Sequence, residues 1–429
     1  MKTLFENIKI LTPDGVIEGY LGVIDSKIAY IGENAPENYD DARKISGSRR
    51  ALIPGLINTH SHVPMTLMRG YADDYDLNTW LTQHIFPAED KLDEKCVECG
   101  TVLGIAEMIA SGTTSFSDSY FFCNEIAKVA EISGIKANIA RSVTNFGQEI
   151  KLMEFKGSRE AVELFNEWHN RDSGRIKIDA AIHAEYTTSE SLWREMGGFA
   201  KDNGMIKQLH ISESKSEHEE CIKKYGKTPI ELFDAHGVLD AKTVAAHCVW
   251  VTENDMAIMR DKGVSVAHNP VSNLKLASGV APICEIMERG VNVALGTDGV
   301  ASNNSYDMFE ELKLTATLHK GVNFDPCAVG AKTAFQIATV NGAKAQGRED
   351  ECGCLKVGMD ADIVMLNLDH PKFMPCHNLL SNIVYTANGN DVCMTMVRGK
   401  VLFENGEHLT LDIERALYDM ENYAIPRMF

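Results

Sequence analysis

The sequence predicts an α/β fold, a (β/α)8 TIM barrel joined to a small β-sandwich built from both chain ends, and three observations carry that prediction. Between residue 51 and about residue 321, short β-branched apolar runs alternate with helix-length amphipathic segments, the signature of βα units around a parallel sheet. Eight such runs fit a barrel, which typically takes about 250 residues. Metal-capable or titratable residues follow six of the eight runs, at the strand ends that form the catalytic face of this fold. Strand-and-turn patterns at both termini supply the second module, with expected bounds of 1–53 and 353–429 around a barrel at 54–352.

Residues 3–11, 15–24 and 27–31 read as short strands separated by Pro13-Asp14-Gly15 and Asp25-Ser26 turn signals. The barrel strands are expected at 52–59, 113–116, 135–140, 176–182, 206–209, 243–246, 264–267 and 291–296. Between them lie helix patterns at 90–111, 123–133, 158–170, 189–203, 217–236, 253–261 and 282–289, several ending at or near glycine. A further helix is expected at 326–342. Residues 353–368 and 391–403 return to β patterns, with Gly358 and Gly399 at turns.

Composition excludes several classes of partner. Lys plus Arg number 42 against 61 Asp plus Glu, a formal charge of −19 that repels nucleic-acid polymers and anionic membrane surfaces. The N-terminal residues Met1 to Asn7 contain no long apolar segment, and no run of about 18 apolar residues occurs. A cytoplasmic protein is expected, and a homo-oligomer remains open. Eleven cysteines, an odd number, argue for reduced thiols. Cys96-x-x-Cys99 falls in a helical pattern with no second pair at zinc-finger spacing, so both are expected to be buried thiols.

The chemistry concentrates on His60-Ser61-His62, directly after the apolar run 51–57. Alternation along a strand sends both imidazoles to the same side, which suits a divalent ion of the zinc class. His60, His62, His210 and Asp298, from strands one, five and eight, would supply four ligands and leave a place for water. Such a water falls toward a pKa of about 7, which makes a hydrolase. Zinc is the expected ion, with Fe2+, Mn2+ and Ni2+ as alternatives. Glu213, three residues past His210, is the candidate proton shuttle, although it also heads an acidic stretch, 213–220, that would read as solvent-facing. His247, at the sixth strand end, is expected to orient the nucleophile or hold its proton with Asp298. A fifth ligand or a core imidazole are the competing assignments.

Three motif matches fail. Gly226-Lys227-Thr228 resembles the end of a phosphate loop, but Cys221 stands where the first Gly belongs. His218-Glu219 lacks the second His of a zincin helix, Ile222 being in its place. His183-Ala184-Glu185 is not followed by the Pro-Cys-x-x-Cys of cytidine deaminases, since Gly330 and Leu379 occupy the second Cys position.

Taken together, the residues resemble the amidohydrolase superfamily, within it the 5′-methylthioadenosine/S-adenosylhomocysteine deaminase group and its chlorohydrolase relatives. The resemblance runs over nearly the whole chain. It rests on Pro54-Gly55-Leu56-Ile57-Asn58-Thr59-His60-Ser61-His62, Met68-Arg69-Gly70, Ala72-Asp73-Asp74, Phe86-Pro87-Ala88-Glu89 and His210-Ile211-Ser212-Glu213. Two longer stretches are more specific: His268 through Asn273 to Gly279, and Gly296-Thr297-Asp298-Gly299 through Ser302-Asn303-Asn304 to Glu311.

The resemblance implies a mononuclear site at His60, His62, His210 and Asp298, because the fourth strand ends in His183 rather than in a bridging lysine. It also implies that Glu89 holds ribose hydroxyls and that His183 and Glu213 contact the purine. The expected reaction is hydrolytic deamination at purine C6, on S-adenosylhomocysteine, 5′-methylthioadenosine or adenosine. The alternative is a related amidohydrolase acting on guanine, another aminated heterocycle or a chlorinated triazine. Two positions bear on the substrate tail. Glu185 stands where the family often has Pro and is expected to place an added negative charge near the pocket. Arg141, past the third strand, matches a position able to pair with a homocysteine carboxylate, with a structural arginine as the competing reading. Met65 and Met68 are candidates for a thioether pocket or for core packing.

Overall fold

The structure, a computed structural model, describes residues 2–429. Its strands form two sheets. The first is mixed and comes from both chain ends: β1 (Lys2–Thr12), β2 (Gly15–Ile24), β3 (Lys27–Gly32), β4 (Arg43–Ser46) and β5 (Arg50–Pro54). These join β14 (Ile363–Asn367), β15 (Val392–Val397), β16 (Lys400–Glu404) and β17 (Glu407–His408). The order is β17-β16-β15-β14-β5-β1-β2-β3, with β4 on β1. A register shift between Phe5 and Ile8 divides β1, so that its first half pairs with β4 and its second half with β5. Phe5, Ile10, Leu21, Leu52, Ile363 and Met394 are among the residues of the sandwich core.

The second sheet is wholly parallel and runs in chain order: β6 (Leu56–Ser61), β7 (Thr113–Tyr120), β8 (Lys136–Arg141), β9 (Ile176–Ile182), β10 (Lys207–Ile211), β11 (Thr243–His247), β12 (Ser265–His268) and β13 (Asn292–Leu295). It closes where the Asp298 amide donates to the His60 carbonyl at 3.0 Å and the Thr59 hydroxyl to the Leu295 carbonyl at 2.8 Å. The helices between strands pack outside it, as the alternating pattern requires.

The apolar run read as one strand at 52–59 is two. Residues through Pro54 pair with β14, and Leu56 opens the barrel. The switch falls at Gly55, where a Cβ would lie 1.9 Å from Thr114 Oγ1. The second strand extends to Tyr120, past the expected end at 116, because Ser117, Asp118 and Ser119 stay in register with β8. The helix expected at 217–236 breaks into Lys215–Tyr225 and Pro229–Ala235, with Gly226 left-handed at φ +67 and Thr228 capping the second piece. That expected at 326–342 breaks into Ala331–Ile337 and Val340–Ala345 at Thr339. Past the sandwich, helices from Ile413 to Met428 lie on the barrel helix Glu94–Ala110.

All eleven cysteines are free. Burial pushes the Cys96 and Cys99 thiols up to about 11, which leaves them unreactive near neutral pH. Among the described residues no helix is long and apolar enough to cross a membrane.

Candidate active site

The barrel strands deliver four histidines and one aspartate to a single point. The ligating atoms of His60, His62 and His210 lie within 4.8 Å of one another, as do those of His60, His247 and Asp298. Asp298 Oδ1 stands 3.3 Å from His62 Nε2 and 3.5 Å from His60 Nε2.

Hydrogen bonds decide which ring nitrogens are free. His62 Nδ1–H donates to the Ser119 carbonyl at 2.7 Å, and His210 Nδ1–H to the His183 carbonyl at 2.9 Å. With both rings neutral, the form that binds a metal, the two Nε2 atoms present lone pairs that face each other at 3.3 Å, and against burial the Asp298 carboxylate raises His62 to about 9, so the point favours positive charge. His60 Nε2 is buried without a hydrogen-bond partner among the described residues. Lone pairs converging beside a carboxylate repel unless a cation sits among them, and carbonyl-anchored imidazoles are the usual surroundings of one. The donor set fits a divalent ion. Asp298 is itself anchored, its Oδ2 accepting from the Ser272 hydroxyl at 2.6 Å and its Oδ1 from the Gly299 amide at 2.8 Å.

His247 Nδ1–H donates to Asn273 Oδ1 at 2.8 Å, which leaves Nε2 3.7 Å from Glu213 Oε2 and 4.0 Å from Asp298 Oδ2. Burial, joined by the Asp298 and Glu217 charges, raises the Glu213 carboxyl well above the usual range. Burial also lowers His183 to about 3, so the ring is neutral. Its Nδ1 lies 3.0 Å from the Thr187 hydroxyl. Three residues at strand exits, Ser212, His247 and Asp298, have φ of 50°, 73° and 63°. Such left-handed non-glycine residues cost about 1–3 kcal/mol each and cluster where geometry is functional.

A cavity opens over this cluster. Glu213, His247, Asp298 and His183 line it together with Glu89, whose carboxyl burial pushes up to about 7 against the pull of the neighbouring Tyr120 hydroxyl. Leu77, Trp80, Leu81, Ile85 and Phe86 cover it from the helical stretch Leu77–Glu89. Met65 lines the cavity, whereas Met68 is core.

Three expected residues sit elsewhere. Glu185 does not place a charge at the pocket: it is 2% exposed and turned toward Glu217 behind the wall. His268, although at a strand end, faces away and lies Nε2 to Nε2 against His319 at 3.1 Å. Arg141 lines an adjoining hollow that shares Phe86, Glu89, Phe121 and Thr144 with the cavity. There it pairs with Glu160 at 2.7 Å and stacks on Phe121.

Sequence reasoning assigned no role to Tyr120, Asn273, Ser272 or the covering segment. Asn273 and Ser272 lie inside the stretch 268–279 that carries the resemblance, so that stretch held the signal. Tyr120 was hidden by the polar residues that seemed to end its strand.

Comparison with known proteins agrees with this geometry. A sequence model of the amidohydrolase family matches residues 51–402. A 5-methylthioadenosine/S-adenosylhomocysteine deaminase of Thermoanaerobacter pseudethanolicus is 45% identical over 92% of this chain and 91% of its own. A 5′-deoxyadenosine deaminase of Methanosarcina mazei is 40% identical over 98% of this chain and 97% of its own. The crystal structure of an adenosine deaminase from Xanthomonas campestris with bound zinc superposes with a TM-score of 0.92 at 33% identity, over 99% of this chain and 98% of that one. The cluster and the zinc-bound neighbour agree on one divalent ion of the zinc class.

Proposed function

The chain belongs to the amidohydrolase family, and from that premise we propose that it is a hydrolytic deaminase of adenine nucleosides. S-adenosylhomocysteine, 5′-methylthioadenosine and adenosine are the substrates considered, each converted to its inosine analogue with release of ammonia. One observation carries the reading: a single cavity holds the histidine–aspartate cluster with Glu213 and His247, and also Glu89, a carboxyl able to accept two ribose hydroxyls. A free base would bring no hydroxyl for Glu89 to accept. The names of the two curated relatives, both deaminases of 5′-altered adenosines, support the same class.

A divalent ion held by His60, His62, His210 and Asp298 supplies the Lewis acidity that makes water nucleophilic near neutral pH. Glu213, its buried carboxyl raised well above the usual range, would give its proton to purine N1 as oxygen adds at C6 and take back the adduct's hydroxyl proton as the carbonyl forms. His247, its Nδ1–H tied to Asn273, keeps Nε2 free to take the nucleophile's proton with Asp298 and pass it to the departing amine. His183, its Nδ1 engaged by the Thr187 hydroxyl, keeps Nε2 for the substrate, and the covering segment excludes bulk water. The hollow beyond Glu89 is where a 5′ substituent would run. Arg141, which lines that hollow, would meet a substrate carboxylate there beside its Glu160 partner. The small-molecule site and the net negative charge fit a cytoplasmic enzyme.

The test is a panel of nucleosides differing only at the 5′ group, followed by ultraviolet loss of adenine and by ammonia release, with E213Q alongside. The wild-type protein is expected to release ammonia from at least one of them, and E213Q to lose about 10²- to 10⁴-fold in kcat. Ammonia release from guanine, or chloride release from a chlorinated triazine, with no nucleoside deaminated would overturn the proposal.

A further inference from the structure

The chain leaves β10 through Ser212, Glu213 and Ser214, and Ser212 is held in the left-handed region at φ 50° without being glycine. Such a turn persists only where its surroundings determine it. Here they converge on one side chain. Glu217, in the first turn of the helix Lys215–Tyr225, accepts from the Ser212 amide at 2.7 Å through one oxygen. Its other oxygen accepts from the Glu213 amide at 2.7 Å and the Ser214 amide at 3.3 Å. The residue whose side chain faces His247 is thus fixed at its own backbone and on both sides.

A second carboxyl enters the same buried space. Glu185, in the loop after β9, lies within hydrogen-bonding reach of Glu217, and its Oε2 meets no donor among the described residues. Two ionised carboxylates cannot share a buried position with no cation between them. Because Glu217 already accepts three N–H groups, Glu185 is the one suited to carry a proton, and burial together with the Glu217 charge raises its proton affinity. The other titratable groups around the pair are Tyr186 on the same loop, Lys224 and Cys221 on the helix, and Glu213, His247 and Cys248 at the strand ends.

We infer that Glu217 is the positioning residue for Glu213, its carboxylate locking the Ser212–Ser214 backbone, and that Glu185 completes the arrangement by donating a carboxylic O–H to Glu217. This rests on Glu213 being the proton donor of the proposed reaction. It also gives the departure at position 185 a role: the extra acid serves the catalytic turn from behind the pocket wall.

The experiment compares E217Q, E185L and E185Q with E213Q in the metal-loaded enzyme, and follows amide exchange over residues 211–215 in the metal-free protein. E217Q is expected to lower kcat about 10- to 100-fold, with KM within about threefold, and to displace the alkaline limb of the pH profile. Amide exchange at 211–215 should quicken in the same variant. E185L should lower kcat about tenfold, and E185Q, which keeps a donor in place, should recover most of it. Wild-type kcat and an undisplaced alkaline limb in E217Q would overturn the inference. So would an E185Q as impaired as E185L, a comparison that stands even if E217Q does not fold. Wild-type ammonia release by E213Q would instead remove the reading beneath it, which makes the two failures distinct.

Discussion

Two buried histidine pairs in this barrel look alike and do opposite things. His62 and His210 face each other Nε2 to Nε2 at 3.3 Å; His268 and His319 do the same at 3.1 Å. In the first pair both Nδ1–H groups are committed to backbone carbonyls, so two lone pairs meet beside Asp298 and the pair is incomplete without a cation. No carbonyl holds the Nδ1 of His268, so one ring can donate Nε2–H to the other. Burial lowers His268 well below its ordinary range and His319 to about 4, so both rings are neutral and one hydrogen bond joins them, with no carboxylate beside it. Two adjacent imidazoles are therefore not yet a metal site. The tautomers imposed by neighbouring carbonyls, and a carboxylate, make one.

The sharpest way to break this comparison is to exchange the outcomes. H210A is expected to lose bound zinc, measured as metal per chain, and to reduce kcat at least about 10³-fold, since the nucleophile depends on the ion. H268Q should keep one metal per chain, and a metal-free H268Q would show that the two pairs are not different in kind.

A smaller effect is expected at Glu89, the other end of the cavity. Its carboxyl, raised to about 7, must be ionised to accept two ribose hydroxyls. Binding should therefore strengthen as pH rises through about 7 and weaken below it. E89Q is expected to raise KM about tenfold, the loss of one charge-assisted contact, and to abolish the acidic limb of kcat/KM. A surviving limb would assign that titration to another group.

The smallest effect is on stability. H319F leaves His268 without its partner and is expected to cost about 1–3 kcal/mol, the desolvation penalty of an unpaired polar group, read by denaturant unfolding with metal content unchanged.

The same contrast shows what the sequence makes legible. Strand ends could be read because a β-branched apolar run followed by a polar residue survives without tertiary knowledge: the fourth barrel strand, expected at 176–182, is Ile176–Ile182 in the structure. Direction past the end could not be read. His268 follows a strand just as His247 does, yet one turns to a helix behind the barrel and the other into the cavity. Glu185 was expected to charge the pocket and instead meets Glu217, because the turn after β9 points it inward. Polar residues buried within a strand misled the reading of β7, where the Asp118 carboxyl is occupied by the Val63 amide. The covering segment was missed although Leu77, Trp80, Leu81 and Ile85 keep a helical spacing, because that spacing marks an apolar face without telling whether it covers a cavity or only packs.

Gly55 has a bearing on how the two bodies of this protein depend on one another. The strand that completes the terminal sheet and the strand that ends in His60 are separated by this one residue, whose amide is fastened to Asp362 at 3.1 Å. A shift of register in the outer sheet would slide the ligand-bearing strand along its own axis. The sandwich is thus the anchor of the rod that carries His60 near its far tip.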